Sequence, residues 1–296
     1  MKQLGRFLTA MVTPFKDNGE VDYEQAKKLA LALLASGNDG LVVAATTGEA
    51  PTLSWEEELR LFTEIKSVVG DDTTIVAYTG SNSTSEAVEA TRGAEKIGVD
   101  ACLSVVPYYN KPTQEGIYRH FKTIADSTSL PVIMYNIPGR VVVNMTPETI
   151  VRLSKIDNVV GVKEANGDMG HVAQVISNAA EGFKVWSGND NDTFPIMTLG
   201  GYGVIGVVTH LVGKQVREMM ELVLDNNVQE AAVIHRHLVP LVNVLFVQPN
   251  PGPVKYALNQ VGMRVGSPRL PLLPPDEKTG AAIMEVVKKY TIDIEP

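Results

Sequence analysis

The stretch Val159-Val160-Gly161-Val162-Lys163-Glu164 is a short apolar run that ends in charged side chains. One unit earlier, the stretch Pro131-Val132-Ile133-Met134-Tyr135-Asn136 follows the same plan and ends in a tyrosine and an asparagine. Short apolar runs rich in β-branched residues are typical of strands buried on both faces of a parallel sheet. The two stretches therefore predict consecutive parallel strands joined by a helix.

The same pattern extends in both directions along the chain. Eight runs qualify as strands: Phe7–Val12, Gly40–Ala45, Thr74–Tyr78, Ala101–Val106, Val132–Ile137, Val159–Lys163, Lys184–Ser187 and Gly203–Val208. Eight βα units in series, each about 20–35 residues long, predict a closed (β/α)8 TIM barrel rather than an open sheet. No Gly-x-Gly-x-x-Gly follows the first run, which removes the main reason to propose a dinucleotide-binding fold.

Helical patterns lie between the predicted strands. Asp22–Ser36 presents one apolar face, Ser54–Val69 opens with a capping box of Ser54 and Glu57, and Thr146–Ser154 has Pro147 in its first turn.

The chain becomes purely helical after the eighth strand. The helical runs there are Lys214–Asp225, Val228–Val247, Val254–Val261 and Glu277–Tyr290. We predict a barrel over residues 1–225 that carries the active site, and a C-terminal helical extension over residues 226–296. The extension either packs on the barrel or builds an oligomer contact.

Composition limits the classes of protein that remain. A chain of 296 residues could form one large barrel or two modest domains, and the lack of any Pro/Gly/Ser-rich linker favours one. The formal net charge of −8 argues against nucleic acid or an anionic membrane as a partner. The single cysteine, Cys102, lies in an apolar run, which predicts a core thiol and a reducing compartment. No signal region and no 18-residue apolar run occurs, so we expect a soluble cytoplasmic protein.

Lys163 is the first candidate for chemistry. A lysine at a strand end usually extends into water, and lysines are almost never fully buried. If Lys163 is buried, desolvation lowers its pKa and makes it a candidate Schiff-base nucleophile. Active sites of such barrels lie at the carboxyl ends of the strands. Other polar groups at the predicted strand ends are Thr46-Thr47-Gly48-Glu49, Tyr108-Tyr109, Tyr135 with Arg140, and Ser187-Gly188-Asn189-Asp190.

Five motifs give the chain a family resemblance. They are Thr-Thr-Gly-Glu at 46–49, Pro-Tyr-Tyr-Asn-Lys-Pro at 107–112, Tyr-Asn-Ile-Pro-Gly-Arg at 135–140, Gly-Val-Lys-Glu-Ala at 161–165 and Gly-Gly-x-Gly-Val-Ile at 200–205. Their order and spacing resemble those of the pyruvate-dependent class I aldolases, the family of dihydrodipicolinate synthase and N-acetylneuraminate lyase. The resemblance covers essentially the whole chain. Any one motif would be weak evidence, whereas five in register are specific.

The resemblance implies a reaction and a set of site residues. It implies condensation of pyruvate with L-aspartate-4-semialdehyde to 4-hydroxy-tetrahydrodipicolinate, the first committed step of lysine and diaminopimelate biosynthesis. It implies that Lys163 forms the imine with pyruvate and that Tyr135, Thr46 and Tyr109 relay protons. The expected substrate-binding residues are Thr46, Thr47, Arg140, Gly188 and Ile205. No cofactor is implied, because a protonated imine is itself the electron sink. No metal is expected either, since Asp190 and Asp192 lack further carboxylates at metal-ligand spacing.

Arg140 and Thr47 distinguish the synthase branch of the family from the lyase branch. The synthase branch resembles this chain in Thr-Thr-Gly-Glu and in an arginine five residues after Tyr135, whereas the lyases generally carry Ser-Thr-Gly-Glu and no such arginine. Two alternatives remain open: a sister aldolase that cleaves a 2-keto-3-deoxy sugar acid or N-acetylneuraminate, and a catalytically silent binding protein.

Ala45 and the stretch Gly206–His210 depart from the family pattern beside the expected pocket, which bears on substrate tolerance. His120, His171, His210, His235 and His237 are interpreted as structural or solvated.

The resemblance also bears on assembly and regulation. In the family the second tyrosine of Tyr108-Tyr109 reaches into a neighbouring subunit's site, so we expect a homotetramer built as a dimer of dimers. Lysine-inhibited relatives bind lysine at positions that correspond here to Ala50, Trp55, Glu58, Asn82, Glu86 and Tyr108. Because Glu58 stands where those relatives carry histidine, we expect weak lysine inhibition or none.

Overall fold

The computed structural model describes residues 3–295, in which eight strands form a closed parallel barrel in chain order. The strands are β1 (Phe7–Ala10), β2 (Gly40–Val43), β3 (Thr74–Tyr78), β4 (Ala101–Val105), β5 (Val132–Asn136), β6 (Val159–Glu164), β7 (Lys184–Ser187) and β8 (Gly203–Gly206). The predicted (β/α)8 barrel with C-terminal helices is confirmed.

All eight strands begin at the predicted residues, and six of them end elsewhere. β1 ends at Ala10, although Met11 and Val12 are still buried and Met11 N–H still donates to Val42 O at 3.0 Å. β8 ends at Gly206, because the chain turns into a 3₁₀ helix at Val208–His210. Five strands end before their apolar runs do, because residues remain buried or half-buried past the end of the strand, whereas β6 continues one residue further, to Glu164.

Within the part of the chain that the structure describes, helices connect successive strands, and four more follow β8. They are α1 (Tyr23–Ala35), α2 (Trp55–Lys66), α3 (Thr84–Ile97), α4 (Gln114–Asp126), α5 (Pro138–Val141), α6 (Pro147–Leu153), α7 (Met169–Asn178), α8 (Thr193–Thr198), α9 (Gly213–Leu224), α10 (Val228–Leu245), α11 (Gly252–Gln260) and α12 (Glu277–Val287). Two sequence predictions hold at the helix starts: Ser54 and Glu57 form a complete capping box, and Pro147 is the first residue of α6.

The contacts group the described chain into two compact units. One contains the residues up to Arg6 and Thr74–Ile205, and therefore β3 to β7 with most of β8. The other contains Phe7–Thr73 and the chain from Gly206 onward, in which α10, α11 and α12 pack on one another. The boundary between residues 225 and 226 stays a prediction. None of the helices within residues 3–295 is long and apolar enough to cross a membrane.

Candidate active site

Lys163 and Tyr135 form the centre of the site. They are register partners on neighbouring strands, Lys163 in β6 and Tyr135 in β5. Both side chains are buried, and Lys163 Nζ lies 4.3 Å from the centre of the Tyr135 ring. The face of a tyrosine ring attracts an ammonium group, so the ring holds the protonated form of the amine in place.

Burial lowers the pKa of Lys163 from 10.5 to about 7. The carboxylate of Asp190 opposes this fall, and the positive charge of Arg140 adds to it. A lysine with such a pKa is substantially neutral at physiological pH, which is the state that attacks a carbonyl carbon.

Asp190 is a functional candidate to which the sequence analysis gave a place at a strand end but no catalytic or binding role. It opens the 3₁₀ helix Asp190–Asp192 directly after β7, and its side chain is buried. Its charge raises the pKa of Lys163, against the larger lowering that burial causes. Its position two residues after Gly188 was the available clue. Among residues 3–295 no group of three His, Cys, Asp or Glu side chains could hold a metal ion.

The backbone at Gly188 lies so close to Lys163 and Ala165 that a larger residue would displace its neighbours. A Cβ at this position would lie 3.1 Å from Lys163 Cγ and 2.9 Å from Ala165 Cβ. Its N–H donates to Glu164 O at 2.7 Å, which fixes the start of the loop after β7. Ile205 is fully buried in β8.

Arg140 lies on the short helix α5 that follows β5, and its side chain is exposed. It is near enough to Lys163 to depress the pKa of the amine. The structure thus places Lys163, Tyr135, Arg140 and Gly188 in one region, as the sequence predicted for the ends of β5, β6 and β7.

Tyr109 is a different case. Its side chain is 90% exposed and its φ is +70°, an unusual backbone conformation for a non-glycine residue. The loop is tied at its base, because Asn82 Nδ2 donates to Tyr108 O at 3.1 Å and Asn110 Nδ2 donates to Asn82 O at 2.8 Å. Within a single chain the Tyr109 ring therefore stands in solvent, held outward on an ordered loop.

Thr46 and Thr47 lie in the turn after β2. Ala44 and Glu49, which flank them, both have left-handed backbone conformations, with φ of +55° and +62°. Such conformations cost about 1–3 kcal/mol each and persist only where surrounding contacts enforce them. Asn250 Nδ2 donates to Thr47 Oγ1 at 2.8 Å, and Thr13 Oγ1 donates to Gly48 O at 2.6 Å.

Lys255 and Glu49 anchor the same turn with a buried ion pair that the sequence analysis did not predict. Lys255 Nζ donates to Glu49 Oε1 at 2.7 Å, and the Arg269 backbone N–H donates to Glu49 Oε2 at 2.8 Å. Burial lowers the pKa of Lys255 to about 8, against the opposing charge of Glu49. The Phe15 ring lies 4.2 Å from the ammonium.

The sequence comparison decides the family. A family model described as the dihydrodipicolinate synthetase family matches residues 3–290. The chain belongs to the dihydrodipicolinate synthetase family. It is 60% identical over 294 residues to the 4-hydroxy-tetrahydrodipicolinate synthase of Dehalococcoides mccartyi, covering 99% of each chain. It resembles the crystal structure of dihydrodipicolinate synthase from Bacillus anthracis with a TM-score of 0.96 and 43% identity, over 98% of this chain and 99% of that one. It also resembles the synthase of Cyanidioschyzon merolae with lysine bound, with a TM-score of 0.94 and 43% identity, over 96% and 97%.

In this dihydrodipicolinate synthetase family member, the six positions predicted for a lysine site fall into two groups. Asn82, Glu86 and Tyr108 belong to one compact unit, where Ser81 Oγ donates to Glu86 Oε2 at 2.7 Å. Ala50, Trp55 and Glu58 belong to the other. Burial and the neighbouring Glu57 raise the pKa of Glu58 to about 8.

Three histidines and the cysteine of this family member have structural surroundings. His210 is buried with a pKa lowered by burial to about 4, its Nε2 accepts from Val12 N–H at 3.1 Å, and its Nδ1 is 2.8 Å from Val207 O. Burial lowers the pKa of His120 to about 4 and raises that of Cys102 to about 12. His171 lies against Glu164 at 3.1 Å.

Proposed function

We propose that this chain catalyses the Schiff-base condensation of pyruvate with L-aspartate-4-semialdehyde, giving 4-hydroxy-tetrahydrodipicolinate. The observation that carries the proposal is the buried Lys163 amine, with a pKa of about 7, against the Tyr135 ring. The enzyme is a lyase of the class I aldolase type and acts in lysine and diaminopimelate biosynthesis.

The first half of the reaction uses the Lys163 amine as nucleophile. The neutral amine adds to the keto carbon of pyruvate, and loss of water gives a protonated imine. This imine withdraws electrons from the methyl carbon, which loses a proton to form an enamine. Tyr135, buried beside the amine, is the group that moves protons at the carbinol oxygen, in a relay with Thr46 and Tyr109. The Thr46 and Thr47 N–H groups are assigned to the pyruvate carboxylate by the family pattern.

The second half uses Arg140 for recognition. The enamine carbon attacks the aldehyde carbon, whose oxygen takes a proton to become the hydroxyl group. The amino group of the semialdehyde then adds to the imine carbon and displaces the Lys163 amine, which closes the ring and frees the enzyme. The guanidinium of Arg140 pairs with the carboxylate of the semialdehyde. Gly188 and Ile205 line the pocket. Arg140 also argues against the alternative of an aldolase acting on a sugar acid, because its place in the motif Tyr-Asn-Ile-Pro-Gly-Arg matches the synthase branch.

Two experiments test the assignment. In a coupled assay with the downstream reductase, pyruvate and L-aspartate-4-semialdehyde must both be consumed; turnover of sugar acids instead would contradict the proposal. Borohydride reduction with pyruvate must add a reduced pyruvyl group to Lys163. The Lys163→Ala variant must take no such group, and label on Lys111 or Lys255 would assign the nucleophile elsewhere.

The proposal extends to assembly and location. A homotetramer built as a dimer of dimers is proposed because Tyr109 projects outward on an ordered loop. A cytoplasmic location is proposed because the sequence has a single cysteine and that cysteine is buried, a pattern typical of proteins in reducing compartments.

Weak lysine inhibition is proposed because of Glu58. Its carboxyl group stands where lysine-inhibited relatives carry histidine, and its raised pKa, about 8, makes it largely neutral at pH 7. A neutral carboxyl group offers no charge to a lysine ammonium. Titration of the coupled assay with lysine at neutral pH tests this, and strong cooperative inhibition at sub-millimolar lysine would contradict it.

A further inference from the structure

Asn136 and Glu164 form a second pair of register partners, one residue beyond Tyr135 and Lys163. Successive side chains of a strand point to opposite faces. The inner face of β5 and β6 therefore carries Tyr135 and Lys163, and the outer face carries Asn136 and Glu164. All four side chains are buried.

Glu164 is held on both of its carboxylate oxygens. Asn136 Nδ2 donates to Oε1 at 2.9 Å and to Oε2 at 3.1 Å. The N–H groups of Ala165 and Asn166 donate to Oε1 at 3.0 and 3.1 Å. His171 Nε2 lies 3.1 Å from Oε2. The donors from Asn136, Ala165 and Asn166 give this buried carboxylate one orientation, because any other would leave those buried donors unpaired.

Asn136 also holds the segment that carries Arg140. Its Nδ2 donates to Asn144 Oδ1 at 2.8 Å, and its Oδ1 accepts from Met145 N–H at 3.0 Å. The residues between these anchors leave β5, form α5 and return to the strand end. One asparagine side chain thus connects the ends of β5 and β6 with the base of the Arg140 segment.

We infer that Asn136 and Glu164, together called the strand-end clamp, are positioning residues for the reaction. The inference rests on the function proposed above. The clamp sets the distance from the Lys163 amine to the Tyr135 side chain, and it fixes the base from which Arg140 reaches the second substrate. Neither clamp residue touches the reacting atoms. Both strands end at this pair, and beyond it Ala165 N–H still donates to Asn136 O at 2.9 Å, so the clamp lies beside the last backbone hydrogen bond that holds Tyr135 and Lys163 in register.

Three variants test the clamp. Asn136→Asp places two carboxylates together in a buried site. Glu164→Gln keeps the shape and Oε1 contacts but removes one acceptor. The combined Asn136→Asp/Glu164→Gln variant restores an amide-to-carboxylate hydrogen bond with reversed polarity, while the acceptors for Met145, Ala165 and Asn166 N–H remain.

Asn158→Ala is the matched control. Asn158 precedes β6 at the opposite end of the same strand pair, where its Nδ2 donates to the carbonyl oxygens of Ala125, Thr128 and Leu130. Its loss removes three side-chain hydrogen bonds, against the four that Asn136 makes, without touching the clamp. The readouts are the rate of imine formation with pyruvate, measured by borohydride trapping per folded molecule, the KM for the semialdehyde, and the Tm.

A misplacement of about 1 Å in a reacting group can cost on the order of 100-fold in rate, so we expect imine formation to slow by about 10- to 100-fold in Asn136→Asp. The KM for the semialdehyde rises in the same variant. Glu164→Gln shows a smaller loss, the combined variant recovers most of the rate, and Asn158→Ala lowers the Tm with the imine rate unchanged.

Two results would overturn the inference. One is an imine rate per folded molecule in Asn136→Asp and Glu164→Gln equal to that of the parent. The other is a combined variant that is no faster than Asn136→Asp. If Asn136→Asp does not fold, the rate of imine formation per folded molecule of Glu164→Gln decides whether the inference holds. A parent enzyme that takes no pyruvyl group at Lys163 would instead refute the proposed function.

Discussion

Lys163 has a pKa that makes the reaction dependent on pH. Burial puts this pKa at about 7, and only the neutral amine attacks the keto carbon. Imine formation should therefore accelerate as pH rises through about 7 and level off above it, since the neutral fraction is then complete. Borohydride trapping across this range gives the profile. A midpoint near that of an ordinary lysine, about 10.4, would contradict the assignment.

Asp190 gives that pH profile a specific control. Its charge raises the pKa of Lys163, so Asp190→Asn should move the midpoint of the trapping profile to lower pH. Asp192→Asn is the matched variant on the same turn, where Asp192 accepts from Asn189 Nδ2 at 2.8 Å. We expect no shift from it. Equal shifts in both variants would mean that Asp190 has no special relation to the amine.

Substitution of Arg140 should distinguish the two half-reactions, which are imine formation with pyruvate and attack on the semialdehyde. If it pairs with the semialdehyde carboxylate, Arg140→Ala loses a charge-assisted contact of about 1.5–3 kcal/mol, which is roughly 10- to 150-fold in kcat/KM for the semialdehyde. Trapping of the pyruvate imine should change much less. Arg140→Lys keeps the charge without the two-pronged geometry and should fall between the two. Unchanged semialdehyde kinetics in Arg140→Ala would remove the reason to prefer the synthase branch.

At the scale of elements, the C-terminal helices support the turn after β2. Lys255 of α11 is fully buried and paired with Glu49, so Lys255→Met leaves a buried carboxylate without its cation. Breaking such a pair costs about 3–5 kcal/mol, and we expect a corresponding fall in the free energy of unfolding from urea titration.

The double variant Glu49→Gln/Lys255→Met removes both charges and should recover part of this loss. Lys16→Met disrupts an exposed ion pair with Glu20 and should change stability by no more than about 0.5 kcal/mol. A Lys255→Met protein as stable as the Lys16→Met protein would show that the buried pair does not stabilise the turn.

The strands and helices also show which features of the fold could be predicted from the sequence. All eight strand starts were predictable, because each is the first residue of a short, largely apolar run. The strand ends were less predictable, because burial outlasts the ladder. The ion pair of Glu49 with Lys255 could not be predicted, since 206 residues separate the partners. Tertiary structure alone brings those two charges together, as it does Asp190 and Lys163.

At the scale of the whole molecule, the strongest sequence evidence was the order of the five motifs. Each motif falls at or directly after a strand or in the turn before β8, so its spacing reflects the repeat of the barrel. The family match over residues 3–290 agrees with this. The side-chain roles in the site remain proposals, because motif spacing fixes where a residue lies and says nothing about its protonation or its neighbours' charges.

Assembly can be tested through Tyr109. If its ring, 90% exposed in the single chain, completes a neighbouring subunit's site, then Tyr109→Ala and Lys163→Ala should each be nearly inactive alone. A mixed dimer regains one working site, because the Lys163→Ala subunit lends its tyrosine to the partner that keeps Lys163. Random pairing in equal amounts should restore about a quarter of the parent activity after co-refolding. Analytical ultracentrifugation should show the tetramer in the parent. A co-refolded mixture no more active than the mean of the two variants, or a fully active monomer, would place Tyr109 outside the reaction.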